Sequence, residues 1–212
     1  MSKKIKALIF DVGGVLQLGK YSKPKRGHRT IGVHQHMVDK LKISMDDYFD
    51  SLDTAYADSI EGIISRSEAL KIIAANLKIS VKKLTNLFIK SYKEHFTLNR
   101  ELINISKKIK KKGYKVAIFS DQWYLSDEAL VTKQMERVFK PILISCREGL
   151  RKPNPKFYKL LLNKLRIPAK QTVFIDNREW NLKPADKLGM MTLLFKNNKQ
   201  MLKDLKKLGI EP

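Results

Sequence analysis

The sequence predicts an α/β fold: a Rossmann-like parallel sheet with helices on both faces and a small helical cap. Two patterns carry that prediction. Short apolar runs recur along the chain, each followed by a polar turn and an amphipathic helical period. Between the first run and residue 100, helical periods instead follow one another with no convincing strand. The first run is Ala7-Leu-Ile-Phe10, continuous in the manner of a strand buried on both faces. Val116-Ala-Ile-Phe119, Ile142-Leu-Ile144, Val173-Phe-Ile175 and Thr192-Leu-Leu-Phe195 repeat it.

The helices between these runs read from their spacing. Leu102, Ile105 and Ile109 share one face, and Gly113 follows as a carboxy-terminal stop. Tyr158, Leu161, Leu162 and Leu165 recur at i, i+3, i+4 and i+7, with an end expected near Pro168. Pro184 is expected to open a helix carrying Leu188, with Gly189 after it. In the strandless interval, Ser65-Arg-Ser-Glu68 fits a capping box ahead of Leu70, Ile73, Ala74 and Leu77. Ser80 caps a second helix carrying Leu84, Leu87, Phe88 and Tyr92, and Ser44 with Asp47 starts a third. An insertion after the first strand lies over the strands' carboxyl ends, where ligands bind in such sheets. The chain therefore divides into a core of residues 1–16 and 98–212 and a cap of residues 17–97.

Composition narrows the function classes. A chain of 212 residues with 43% hydrophobic residues is long and apolar enough to bury a core, which excludes general disorder. One cysteine, Cys146, excludes an internal disulfide, a CxxC centre and a cysteine-rich zinc site. No run approaches the ~20 apolar residues of a membrane span. The amino-terminal stretch breaks at Asp11 and does not match a secretory signal. A cytoplasmic protein with no membrane partner is expected.

Net charge is the unusual quantity, with 43 Lys and Arg against 21 Asp and Glu, or +22. Most of the excess reads as the solvated face of amphipathic helices, as with Lys107, Lys108, Lys110, Lys111 and Lys112, and with Lys199, Lys203, Lys206 and Lys207. Only the segment from Tyr21 to Arg29 concentrates charge without a hydrophobic period, and its single aromatic is too few for a stacking platform. A positive field gathers a phosphorylated substrate as readily as a nucleic acid. Nucleic acid is the partner the charge allows but does not favour.

Four polar positions stand at equivalent strand ends. Asp11 follows the first run and leads into Val12-Gly13-Gly14; Ser120-Asp121 follows the second; Asp176-Asn177 follows the fourth. Lys152 comes after the third, in Gly149-Leu-Arg-Lys-Pro-Asn-Pro155. The topology brings them to one crevice. Two carboxylates can hold Mg²⁺ with water and substrate oxygens, a hydroxyl and an ammonium can hold phosphoryl oxygens, and a carboxylate can attack phosphorus. Asp11 and Asp176 can lie close together only if a cation or Lys152 offsets their charge.

With these residues in order, the chain resembles the haloacid dehalogenase-like hydrolases. The four matching motifs are Phe10-Asp11-Val-Gly-Gly-Val15, Phe119-Ser120-Asp121, Arg151-Lys152-Pro153-Asn-Pro155 and Phe174-Ile175-Asp176-Asn177. The likeness is nearest to the branch of glucose-1-phosphate phosphatases and the phosphatase domain of soluble epoxide hydrolase. Asn181-Leu-Lys-Pro-Ala185 and Leu188-Gly-Met190 add to it. The resemblance implies Mg²⁺-dependent hydrolysis of a small phosphorylated metabolite, a sugar phosphate among the candidates, through an aspartyl-phosphate on Asp11. It further implies Mg²⁺ binding by Asp11, the Gly13 carbonyl and Asp176, and phosphate binding by Ser120, Asp121 and Lys152.

Three positions depart from the family pattern. Gly13 stands where many members carry an Asp that serves as general acid and base, Asp121 where Asn is common, and Asn177 where a second Asp is common. The alternatives are a carbon–halogen hydrolase, for which a missing acid is no handicap, and a degenerate member binding nucleic acid or another acidic partner. Among other residues, His28, His34 and His36 are expected to face solvent or cap helices, since His34 and His36 diverge on a helix and no cysteine joins them. Trp123, Tyr124 and Trp180 are placed either in a substrate pocket or between core and cap.

Overall fold

The computed structural model describes residues 4–20 and 32–211. Its central sheet has five parallel strands in the order β5-β4-β1-β6-β7. The strands are β1 (Ala7–Phe10), β4 (Lys115–Ser120), β5 (Ile142–Ile144), β6 (Thr172–Asp176) and β7 (Met191–Leu194). β1 lies in the middle, with Ala7 against Lys115 on one side and Thr172 on the other. A central parallel strand is covered on both faces, which is why its sequence shows no polar alternation.

The period of two decides which helices each residue meets. Leu8, Phe10, Val116, Ile118, Val173 and Ile175 pack toward α5 (Arg100–Lys111), α7 (Lys133–Val138) and α11 (Asn198–Lys207). Ala7, Ile9, Ala117, Phe119 and Phe174 pack toward α9 (Pro155–Leu165) and α10 (Glu179–Lys187). Two short helices, α6 (Tyr124–Leu130) and α8 (Ser145–Glu148), follow β4 and β5. α5 buries Leu102, Ile105 and Ile109, as its spacing requires, and Gly113 takes φ +92° just beyond its end.

Among the described residues four helices occupy the interval after β1: α1 (Gly32–Leu41), α2 (Met45–Glu61), α3 (Arg66–Asn76) and α4 (Val81–His95). Each of the three expected serine caps is in place. Ser44, Ser65 and Ser80 accept the backbone N–H of Asp47, Glu68 and Lys83. α3 buries Leu70, Ile73 and Ala74, and α4 buries Leu84, Phe88 and Tyr92. α4 rests on α6, and α2 on α8, so the insertion sits over the carboxyl ends of the strands.

Three readings need correction. The interval is not free of strand, because β2 (Gln17–Gly19) and β3 (Phe96–Leu98) form an antiparallel ribbon where the insertion leaves and rejoins the sheet domain. Pro184 lies inside α10, which begins earlier at Glu179; it forgoes one helical bond and does not open the helix. β7 begins at Met191, one residue before the expected run. The basic segment around residues 21–29, with His28, lies outside the described residues.

Candidate active site

Asp11 leaves the sheet directly after β1, and its backbone N–H donates to the Ile175 carbonyl at 3.0 Å. That bond sets it beside Asp176, the last residue of β6. A tight turn follows. Val15 and Gln17 both donate to the Val12 carbonyl, and Gly14 donates to the Gln17 carbonyl at 2.7 Å. Gly14 has φ +84°, and a Cβ there would collide with the amide of Asn177. Only glycine fits that close approach.

The charged centre is built around one ammonium. Lys152 Nζ donates to Asp11 Oδ1 at 2.9 Å, to Asp176 Oδ2 at 2.7 Å and to the Phe119 carbonyl at 3.3 Å. The lysine, both carboxylates and the Ser120 hydroxyl group are buried. Asp176 is held further by the Arg178 N–H on Oδ1 (2.8 Å) and by Asn181 Nδ2 on Oδ2 (3.0 Å). Asp121 Oδ1 accepts the backbone N–H of Lys152 at 3.0 Å, and the Lys152 loop closes with Asn154 N–H on the Arg151 carbonyl. On the other flank, Ser145 Oγ accepts from Gln122 N–H and donates to the Gln122 carbonyl, while Gln122 Nε2 donates to Ser120 Oγ.

Electrostatics follow from this burial. Burial pushes the Asp11 carboxyl up to about 6; Lys152 opposes the rise, Asp176 adds to it, and the Ser120 hydroxyl bond lowers it. Burial presses against the charge on Lys152, but the carboxylates of Asp11, Asp176 and Asp121 outweigh it and raise the ammonium above its ordinary value. Asp121 is raised by burial and held back by Lys152. Its carboxylate is thus already paired with the loop that carries the lysine.

Above the ammonium opens a cavity of about 330 Å³, lined on the sheet side by Asp11, Gly13, Asp121, Trp123, Lys152 and Arg178 among others. Val33 and His34 of α1, Tyr56 and Ile60 of α2 and Tyr92 of α4 close it from the insertion. Trp123 serves both of its expected roles: it walls the cavity, and its Nε1 donates to Tyr92 Oη at 2.8 Å. Tyr124 belongs to the seam alone, donating to the Ile64 carbonyl at 2.9 Å. Trp180 is 59% exposed, with the Arg178 guanidinium over its ring. His34 is not a solvent residue, since it lines the cavity with Nδ1 3.0 Å from Tyr48 Oη.

The structure brings Asp11, Gly13, Asp121 and Lys152 to the cavity wall, with Ser120 and Asp176 just behind it. Arg178, Asn181 and the aromatic residues of the insertion join the site beyond the residues the sequence assigns to it, Asn181 having entered only through the Asn181-Leu-Lys-Pro-Ala185 stretch and Tyr92 only as a helix-face residue. Asn181 had a legible signal: it is a polar residue on the first turn after Asp176, placed to turn back toward it.

Asp11 and Asp176 share one ammonium and Gly13 lies on the same cavity wall, so their carboxylates and the Gly13 carbonyl could supply the hard oxygen donors that suit Mg²⁺. Asn177, whose amide packs against Gly14, has a buried Oδ1 with no hydrogen-bond partner among the described residues.

The model for haloacid dehalogenase-like hydrolases matches residues 5–189. The rat bifunctional epoxide hydrolase 2 is 25% identical over 223 aligned residues, covering 96% of this chain and 38% of that protein. Glyceraldehyde 3-phosphate phosphatase of Pyrococcus furiosus is 29% identical over 119 residues, covering 52% of this chain and 48% of its own. The chain thus spans less than half the length of these relatives. Among solved structures, a HAD-family enzyme of Bacteroides thetaiotaomicron in complex with magnesium and inorganic phosphate superposes with a TM-score of 0.73. It is 21% identical and covers 92% of this chain and 96% of that one. Among the described residues no helix is long and apolar enough to cross a membrane. With the family match spanning four of the five sheet strands, the insertion and all four strand-end positions, the chain belongs to the haloacid dehalogenase-like hydrolases.

Proposed function

We propose that the chain hydrolyses phosphomonoesters of small metabolites, with Mg²⁺, through an aspartyl-phosphate. One observation carries the reading: Lys152 Nζ binds the carboxylates of both Asp11 and Asp176 at the floor of a cavity roofed by the helical insertion. The phosphatase activity of the archaeal relative, and the magnesium and phosphate held by the Bacteroides enzyme, support it.

In this reading an Asp11 oxygen attacks phosphorus, the ester P–O bond breaks, and the leaving oxygen departs with the bonding pair. Water then cleaves the phosphoaspartate, releasing phosphate and regenerating the carboxylate. Lys152 and Ser120 hold phosphoryl oxygens, and Asp121 steadies the Lys152 loop. Asn181 and the Arg178 N–H fix Asp176. When bound by Asp11, the Gly13 carbonyl and Asp176, Mg²⁺ supplies charge neutralisation at the phosphoryl oxygens. Residues 17–97 act as the cap on a core of residues 1–16 and 98–212, and exclude bulk water during turnover.

Release of p-nitrophenol from its phosphate, with Mg²⁺ and with chelator, tests the reading. Turnover is expected only with Mg²⁺, and Asp11→Asn should lower kcat by ~10³-fold or more. Turnover that survives both the chelator and Asp11→Asn would overturn the assignment.

A further inference from the structure

Away from the cavity, two histidines and a glutamate meet where the insertion rejoins the sheet domain. His36 projects from the middle of α1; Glu94 and His95 are the last two residues of α4, immediately before β3. One ligand atom from each lies within 4.8 Å of the other two. His36 Nδ1 stands 3.3 Å from Glu94 Oε2, and the rings of His36 and His95 meet edge to face with centroids 5.3 Å apart. A tetrahedral ion with bonds of about 2.0–2.1 Å separates its ligands by about 3.3 Å. The His36–Glu94 pair already has that spacing.

Two further features prepare these side chains for a metal. His95 Nδ1 lies 2.9 Å from the Ser91 carbonyl, which can only accept, so Nδ1 carries the proton and Nε2 keeps its lone pair. Metal-bound histidines are commonly oriented this way by a carbonyl behind the ring. Among the described residues His36 Nε2 is buried with no hydrogen-bond partner, and Nδ1, which faces Glu94, is the nitrogen placed to ligate.

We propose that His36, Glu94 and His95 form a second metal site, selective for a borderline transition ion of the Zn²⁺ class. It differs from the active site in its ligands, nitrogen with one carboxylate instead of oxygen alone. It does not depend on the phosphatase reading. An ion held there clips α1 to the end of α4. Val33 and His34, just before His36, and Phe96, just after His95, line the substrate cavity, so the clip fixes its roof.

Co²⁺ is the probe that separates the two sites, because a tetrahedral nitrogen-rich site gives strong visible d–d absorption and an octahedral oxygen site gives only weak bands. Titration of the full chain in excess Mg²⁺ is expected to give these strong bands at one Co²⁺ per chain, in wild type and in Asp11→Asn alike. Zn²⁺ should abolish them. His36→Gln and His95→Gln should remove the bands, and Glu94→Gln should weaken Co²⁺ affinity by ~10-fold or more. Added Zn²⁺ should raise the melting temperature of wild type but not of His36→Gln. Matching circular dichroism without metal establishes that the variants fold, and Glu94→Gln, at a side chain 44% exposed, carries little folding risk. Absence of strong bands in wild type, their survival in His36→Gln, or their loss in Asp11→Asn overturns the site.

Discussion

Asp121 shows how one residue can serve structure and oppose chemistry at once. Its carboxylate anchors the Lys152 backbone, yet it also lines the cavity in which an anionic substrate is to sit. Asp121→Asn keeps a carbonyl acceptor for that N–H and removes one negative charge. KM for p-nitrophenyl phosphate should fall by ~3–10-fold, the scale of one like-charge contact partly screened by solvent, with little change in melting temperature. An unchanged or higher KM would count against a phosphate bound beside this side chain. Gly13 offers the complementary experiment. A Cβ built there meets nothing within 4 Å, so an acidic side chain can enter the cavity without displacing any neighbour. Gly13→Asp should raise kcat for alkyl phosphates by ~10-fold or more, since their leaving oxygen needs a proton, and should do little for p-nitrophenyl phosphate. Equal effects on both ester classes would show that protonation of the leaving group is not what Gly13 lacks.

At the scale of elements, the seam between α2 and α8 is where the insertion is held to the sheet domain. Gly62 caps α2 with φ +68°, and a Cβ there would stand 2.7 Å from the Cys146 carbonyl of α8. The ion pairs Arg66–Glu128 and Arg151–Glu61 lie in the same region. Gly62→Ala should therefore cost about 1–3 kcal/mol, read as a lower melting temperature. It should also change KM, because Tyr56 and Ile60 of α2 form part of the cavity wall; an unaltered melting temperature would mean the seam is looser than this contact implies. The seam also marks the limit of what the sequence discloses. β1, β4 and β6 are legible because strands buried on both faces need only be apolar, and Ser44, Ser65 and Ser80 are legible because a cap acts within three residues. β2 and β3 are not, since three residues show no period and their pairing joins Gln17 to Leu98 across the whole insertion. The same division holds in the site. Asp11, Lys152 and Asp176 announce themselves by standing near strand ends, whereas His34, Tyr56 and Tyr92 reach the cavity only because helices dock, which no local pattern records.

For the molecule as a whole, a net charge of +22 raises the question of whether the excess merely solvates the surface or also gathers substrate. Arg151 and Arg178 line the cavity as well as Lys152 at its floor, so an approaching phosphoester meets positive charge locally and from the surface at large. Screening separates these contributions, because the Debye length falls from about 30 Å at 0.01 M salt to about 8 Å at 0.15 M. Surface lysines distant from the cavity are felt only in the first condition, while Lys152, buried beside its carboxylates, is felt in both. Raising ionic strength across this range should lower kcat/KM for a phosphomonoester several-fold and leave kcat nearly constant, since encounter and not chemistry is affected. Lys108, Lys111 and Lys112 provide the spatial test. They are exposed at the carboxyl end of α5, which feeds the start of β4, and the active site lies beyond that strand's other end. Changing all three to Glu should reproduce part of the loss at low salt and none of it at high salt, without altering kcat. If neither salt nor the triple change moves kcat/KM, the lysines solvate the surface and the capture of substrate rests on the cavity residues alone.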